Sequence, residues 1–177
     1  MTDEPNVKQT RAVGRLHLVR SHFATDEGVY GVILVAGMIV ASGGGNATAW
    51  TVFLSVVATV IVFWAAHVYA GTVAHHGFEH GRIIGIRDSL RAALRRSWGL
   101  LVSALIPCSI LLIGVVKAVP DLVAVWIALW GCVAVLAVLG YIAFARRRAP
   151  WHIRLLGALA TAGFGILMIL LKAGIHH

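Results

Sequence analysis

Charged residues are scarce in this chain. They make up 12% of its 177 residues, roughly half the share found in ordinary soluble domains. Hydrophobic residues account for 59%, and the mean hydropathy is +0.87. A water-soluble fold of this length has too small an interior to hide so much apolar surface. The shortage of charge therefore excludes a soluble globular protein and predicts an integral membrane protein.

Cysteine and catalytic motifs are also in short supply. Cys108 and Cys132 are the two cysteines, and they form neither a CxxC pair nor a Cys/His ligand spacing, so we expect apolar packing residues rather than redox or zinc chemistry. A nucleophile elbow, a phosphate-binding loop and an HExxH motif are missing too. A bis-His haem site needs two deep histidines, and only His67 is deep. We therefore expect no enzymatic activity and no cofactor.

Long apolar runs are what the chain does have. Each run approaches the ~20 helical residues that cross a hydrocarbon core of about 30 Å. They predict an all-α fold, a polytopic membrane bundle of about five transmembrane helices that forms a single domain over 1–177. The five runs are Gly28 to Ser42, Trp50 to Ala74, Trp98 to Val116, Leu122 to Ala145 and Leu155 to Leu171.

The loops between the runs alternate between basic and nearly uncharged. Because Lys and Arg are retained on the cytoplasmic side during insertion, the pattern predicts a cytoplasmic N-terminal segment 1–20, five crossings and an external C-terminus. The first run is expected to serve as the insertion signal. The Ala, Val, Gly and Arg bias favours the cytoplasmic membrane of a bacterium. Thirteen of the fifteen cationic residues fall on the cytoplasmic side: Lys8, Arg11, Arg15, Arg20, Arg82, Arg87, Arg91, Arg95, Arg96, Arg146, Arg147, Arg148 and Arg154.

The connector between the second and third runs, 75–96, has a helical pattern of its own. An apolar stripe lies beside a basic one, which predicts an amphipathic helix in the membrane interface. We expect it to anchor the protein, with anionic lipid headgroups as partners of its arginines. The two stripes are Ile83, Ile86, Leu90 and Leu94, and Arg87, Arg91 and Arg95.

His67 is the clear ionisable residue inside an apolar run. An intramembrane ionisable group is costly to bury and is therefore a candidate for function. Asp26 and Glu27 precede the first run, and a contact between this acidic pair and His67 is expected if the first two helices pack side by side. Two interpretations remain open: a structural network that holds helix register, or proton or ion handling.

A second histidine cluster follows the second run. His76 and His80 stand at i and i+4, with Glu79 on a neighbouring face, a spacing that binds a transition metal if the segment is helical. The alternative is a set of histidines at the membrane surface that bridge headgroups and water.

Three stretches, in order, resemble one protein family. Residues 20–32, RSHFATDEGVYGV, resemble the Arg-x-x-x-Phe-Ser-Asp signature of the bacterial relatives of the lysosomal potassium channel. Phe63 to His67, FWAAH, is similar to the Trp-x-x-His of that family's second helix. Residues 105–114, LIPCSILLIG, resemble its Pro-x-x-Thr-x-Leu-Leu-Gly stretch. The resemblance covers roughly the first two-thirds of the chain.

The resemblance implies an oligomeric, typically tetrameric, potassium-preferring cation channel whose first helix lines the pore. Large aliphatic side chains would form a constriction that gates by dewetting, with Leu34 and Met38 as the candidates. The signature would supply a polar network between helices, and pH would act through His67, because imidazole titrates near neutral pH. The network residues are Arg20, Asp26 or Glu27, Trp64 and His67.

Two other functions remain open beside the channel. One is a non-conducting membrane scaffold or accessory subunit, assembled through small-residue faces. The other is a metal transporter that uses His76, Glu79 and His80. The small-residue faces are Gly31 with Ala36, Gly157 with Ala160 and Gly163, and Gly140.

Overall fold

The computed structural model describes residues 26–44, 47–74, 77–79 and 82–175, with the backbone alone for 77–79, 82–84 and 175. Within these residues the chain is all-helical apart from one small hairpin, and each helix contains most or all of one of the five apolar runs. Four helices, α2 to α5, are long and apolar enough to cross a membrane. The elements are α1 (26–42), α2 (Ala49–Ala74), β1 (Gly77–Glu79), β2 (Arg82–Ile84), α3 (Ile86–Val115), α4 (Asp121–Ala145) and α5 (Trp151–Ile175).

The connector differs from the prediction. Its arginine stripe is not on a separate interfacial helix, because α3 runs without a break from Ile86 to Val115. No glycine or proline stands between Ile86 and Trp98, and the leucines, alanines and arginines of this stretch favour helix. Apart from Ile83, which lies in β2, the residues of the two predicted stripes therefore lie in the first three turns of α3, which begins after the extended Gly85.

The start of the connector is a hairpin instead of a helix. The strands β1 and β2 pair antiparallel, with Gly77 opposite Ile84 and Glu79 opposite Arg82. Glycine at position 77 opposes helix formation, which agrees with the extended backbone there. The predicted metal site requires a helix through Glu79, and the backbone at Glu79 is extended instead. His76 and His80 lie outside the described residues.

The helices alternate in direction, so the bundle has two distinct ends. At one end Gly28 of α1 lies near Leu139 of α4 and Gly99 of α3. At the other end Gly114 of α3 lies beside Ala124 of α4 and Ala49 of α2. We call the first the basic end, because the arginines at the start of α3 and those of 146–154 belong to it.

Helix α1 is packed deeply on one side. Val32, Val35 and Ile39 have no exposed surface and belong to the core, together with residues of α2, α3 and α4. A Cβ atom at Gly31 would lie 2.5 Å from Ser103 Oγ and 3.1 Å from the Leu100 carbonyl oxygen. Helices in lipid associate through such close packing of small residues, because lipid tails are as apolar as the helices. Gly31 thus allows α1 to lie directly against α3.

Helix α5 packs on α4 and is otherwise the most exposed helix. Eleven per cent of its most apolar stretch is buried, against 39% in α4. Gly140 and Gly157 provide the close approach, since a Cβ on Gly140 would lie 2.5 Å from the Gly157 carbonyl oxygen. Thr161 adds an interhelical hydrogen bond from its hydroxyl to the Leu136 carbonyl oxygen, 2.8 Å away. Much of the surface of α5 is therefore left facing away from the bundle.

Candidate functional site at the basic end

A buried carboxylate connects three helices at the basic end. Glu27, in the first described turn of α1, is 5% exposed. Its Oε1 accepts a hydrogen bond from Arg96 Nε of α3 at 2.9 Å and lies 3.4 Å from His67 Nε2 of α2. The Arg96 contact is the stronger of the two, since it joins opposite full charges at normal hydrogen-bond length. Glu27 therefore fixes the start of α1 against both α2 and α3.

Asp26 and Glu27, which the sequence left as alternatives, have different environments. Asp26 is exposed and Glu27 is buried. Successive helical residues point about 100° apart, so Glu27 points into the bundle together with Gly31, while Asp26 lies on the open side. The structure brings Glu27 and His67 together, as the expected polar network requires, while Arg20 lies outside the described residues.

Arg96 is the member of the cluster that sequence reasoning missed. It had been grouped with the arginines of the connector as a contributor to loop charge. Arg95 is exposed, whereas Arg96 lies on the face of α3 that carries the buried Ala93 and Leu100, three residues before it and four after. The sequence already shows that Arg96 shares a helical face with the apolar residues Ala93 and Leu100. This position on the helix could have distinguished Arg96 from the exposed arginine stripe.

Two polar atoms near the ion pair are buried without a hydrogen bond to any described residue. They are Glu27 Oε2 and Trp64 Nε1, an acceptor and a donor. A buried polar group without a partner lowers the stability of the fold by about 1–3 kcal/mol. Both residues belong to the polar network that the sequence predicts. Phe63 stacks on the His67 ring with centroids 6.3 Å apart, which holds the imidazole beside Glu27.

A cavity of about 350 Å³ lies between α2 and α3 next to this cluster. Among the described residues that line it, His67, Arg96 and Ser97 are polar, and the others are alanine and glycine. The cavity exists because these walls carry no large side chains. Glu27 is not among the lining residues, so the acid lies behind the two bases when seen from the cavity.

The proposed constriction residues lie on the less buried side of α1. Leu34 and Met38 are both half-buried, and Met38 packs against the edge of the core. Tyr30 is 66% exposed on the same side, and a Cβ at Gly37 would meet no atom within 4 Å. We call Asp26, Tyr30, Leu34, Gly37 and Met38 the open face of α1.

The remaining predicted sites are more scattered. Arg87, Arg91 and Arg95 are exposed on the first turns of α3. Among the described residues no cluster of three or more potential metal ligands occurs. Of the small-residue positions, Gly31, Gly140 and Gly157 are used for packing within the chain, while Gly163 faces open space.

A second deep ionisable residue lies at the opposite end of the bundle. Lys172 comes directly after the fifth apolar run, where a charge at the membrane surface is expected, but it lies in α5 and is 2% exposed. Its Nζ donates to the Gly43 carbonyl oxygen at 2.5 Å. The other lysine of that end, Lys117, pairs with Asp121 at 2.8 Å. Both described lysines there are therefore engaged within the chain.

Comparisons of the chain with protein-family models, with curated proteins and with solved structures found no match. The resemblance to the potassium-channel family therefore rests on the three stretches quoted above. The function has to be argued from the geometry of α1 and of the residues that hold it.

Proposed function

We propose that the chain is a subunit of an oligomeric cation channel in the bacterial cytoplasmic membrane, with the open face of α1 lining the pore. The observation that carries the proposal is the two-sidedness of α1. One side is packed against the bundle through Val32, Val35 and Ile39, with no exposed surface. The other presents a mostly apolar strip with a carboxylate at its basic end. Copies arranged around an axis would bring these strips together.

The residues on the open face suit cation passage. An Asp26 from each copy would form an acidic ring at the basic end, and such rings concentrate cations at pore entrances. Leu34 follows two turns further in and would form a hydrophobic constriction, which closes a pore by excluding water. Met38 already packs against the core, so Leu34 is the better candidate for the narrowest point of the pore. Potassium is the ion that the family resemblance favours.

The Glu27 cluster would hold the pore helix in place. A helix that lines a pore has to keep a fixed rotation, because a turn of 100° replaces one lining residue by its neighbour. Glu27 is adjacent to Asp26 and accepts from Arg96 at 2.9 Å. This bond would hold α1 at the rotation at which Glu27 is buried and Asp26 faces the proposed pore axis.

The basic end would face the cytoplasm, with the N-terminus inside and the C-terminus outside. Six arginines at this end are exposed, while Lys117 and Lys172 at the other end are engaged within the chain. The six are Arg87, Arg91, Arg95, Arg146, Arg147 and Arg148. Exposed Lys and Arg beside membrane spans are retained in the cytoplasm. A reporter joined after His177 that proved cytoplasmic would contradict this orientation.

Cation flux into liposomes that contain the purified protein tests the proposal. We expect a potassium gradient to drive flux, and Leu34→Ala to raise it because a smaller side chain widens a hydrophobic constriction. Leu159→Ala is the matched control, since Leu159 is exposed on α5, away from α1, and should leave flux unchanged. Absence of flux under every potassium gradient and voltage would remove the channel and leave the non-conducting scaffold.

The scaffold alternative makes a different prediction about the same surface. A subunit that only binds partners would cover the open face of α1 or the exposed side of α5, where Gly163 faces open space. Partners would then co-purify, and Leu34→Ala would alter assembly without any effect on ion flux.

A further inference from the structure

A lysine is buried at the end of the bundle opposite the basic end. Lys172 is 2% exposed, although α5 has the least buried apolar stretch of the four long helices. Among the described residues, its one hydrogen-bond partner is the Gly43 carbonyl oxygen, 2.5 Å from Nζ, and no carboxylate pairs with it. An ammonium group buried without an acid is costly. In a membrane helix such a residue is therefore a candidate for function.

The partner of Lys172 belongs to the C-terminal end of α1. This helix ends at residue 42, and the N–H of Gly43 still donates to the carbonyl oxygen of Ile39, four residues earlier. Carbonyl groups at the end of a helix have no partner within the helix and carry a partial negative charge. Lys172 satisfies one of these groups, and its positive charge has the sign that this end of a helix favours.

Glycine at position 43 leaves the space that the contact needs. A Cβ atom there would lie 2.8 Å from Lys172 Nζ, 2.5 Å from the Ile39 carbonyl oxygen and 3.2 Å from Val125 Cγ1. Any other residue would therefore push the ammonium group away from the carbonyl. Val125 belongs to α4, so the contact lies where the end of α1 meets both α4 and α5.

We propose that Lys172 is a positioning residue for α1, through which α5 holds the end of α1 opposite the basic end. Glu27 holds the basic end through Arg96, so charged side chains from two other helices fix α1 at both ends of its described length. The Lys172 contact couples α1 to the most lipid-exposed of the four long helices. It lies beyond the open face of α1 and does not depend on ion conduction.

Three substitutions separate the hydrogen bond from the packing of the side chain. Lys172→Met removes the donor and the charge but keeps a long, unbranched and apolar side chain that suits a buried position. Lys172→Arg keeps a cation with N–H donors. Lys117→Met is the matched control, because Lys117 lies at the same end of the bundle but pairs with Asp121 at 2.8 Å. Thermal unfolding identifies any variant that fails to fold.

Backbone hydrogen exchange of the purified protein in detergent, followed by mass spectrometry of its peptides, reports how firmly each part of α1 is held. In Lys172→Met we expect the amides of 36–43 to exchange at least about tenfold faster, because this end of α1 opens more often without the contact. The amides of 28–34, near Glu27, should not change. Lys117→Met should exchange as the wild type does, and Lys172→Arg should stay within about threefold of it.

The wild type provides a second test that needs no substitution. Solid-state NMR in lipid bilayers, with isotope labels in lysine side chains and glycine carbonyl groups, measures the distance between them. We expect one lysine Nζ within about 4 Å of a glycine carbonyl carbon, as a hydrogen bond to the carbonyl oxygen requires. This signal should be lost in Lys172→Met and kept in Lys117→Met.

Four results would overturn the proposal. The first is the absence of this short distance in the wild type. The second is unchanged exchange at 36–43 in Lys172→Met, and the third is an equal increase in Lys117→Met. The fourth is an exchange rate in Lys172→Arg as high as in Lys172→Met, because the effect would then come from lost packing and not from the donated hydrogen bond.

Discussion

Glu27 and Arg96, 69 residues apart in the chain, meet at the basic end of the bundle with Arg96 Nε 2.9 Å from Glu27 Oε1. The pair is asymmetric, because the arginine side chain is 38% exposed and the glutamate 5%. A carboxylate that is almost fully buried depends on its partner, since a buried charge without compensation is strongly unfavourable. The orientation of α1, and with it every proposed role of the open face, depends on this contact.

Glu27→Gln should destabilise the protein by about 1–3 kcal/mol. The amide keeps the shape of the carboxylate but loses its charge and adds a buried NH₂ group, while the partial exposure of Arg96 screens part of the loss. Unfolding in detergent, followed by tryptophan fluorescence, measures the change. Asp26→Asn, at the adjacent exposed residue, should cost less than about 0.5 kcal/mol. Equal effects of the two substitutions would contradict the burial of Glu27.

The two sides of α1 should respond oppositely to an added methyl group. Gly31→Ala places a Cβ where Ser103 Oγ is 2.5 Å away, and overpacking of this kind typically costs about 1–3 kcal/mol. Gly37→Ala meets no atom within 4 Å and should stabilise the helix by up to about 1 kcal/mol, because alanine favours helix over glycine. Thermal unfolding of the two variants provides the comparison. A destabilised Gly37→Ala in the isolated subunit would mean that this side of α1 is not open.

Much of the fold follows from the apolar runs, because a segment in lipid has to satisfy its own backbone hydrogen bonds and therefore forms a helix. Helix ends were less predictable. The third apolar run starts at Trp98, but α3 starts at Ile86, because no glycine or proline stands between these two residues. The pairing of Glu27 with Arg96 depends on helical phase and on which helices are neighbours. Arg95 and Arg96 look alike in a count of charges, yet one is exposed and the other bonds across the bundle.

Lys172 illustrates the same limit at the other end. It follows an apolar run, so the sequence predicts a residue at the membrane surface. However, α5 continues to Ile175 and therefore includes Lys172. Its partner is a backbone carbonyl, that of Gly43. Every residue has a backbone carbonyl, so the identity of this acceptor could not be predicted from residue types.

The junction of α4 and α5 distinguishes packing within the chain from assembly between chains. Gly140→Ala would put a Cβ 2.5 Å from the Gly157 carbonyl oxygen, a backbone atom that cannot move aside easily. We expect a loss of about 2 kcal/mol or more in the unfolding of the single subunit, whereas Gly163→Ala, in open space, should be neutral within about 0.5 kcal/mol. A Gly140→Ala variant that kept its stability but changed its oligomeric state would place these glycines between subunits instead.

Asp26→Asn should lower the preference of the conducting oligomer for cations over anions. Asp26 is exposed at the basic end of the open face of α1, so the proposed pore would have one carboxylate per subunit at its entrance. A cation about 4 Å from a single charge in water gains about 1 kcal/mol, which is a factor of about five. Loss of one such charge from every subunit should therefore reduce the cation-to-anion permeability ratio at least about fivefold. Reversal potentials in a potassium chloride gradient across a planar bilayer measure the ratio.

Asp88→Asn is the matched control for this measurement. Asp88 is also an exposed acid near the same end, but it belongs to the first turn of α3 and lies outside the proposed pore. Its removal changes the net charge by the same amount and should leave the permeability ratio unchanged. If both substitutions shifted the reversal potential equally, the effect would come from the general surface charge, and the open face of α1 would not line the path of the ion.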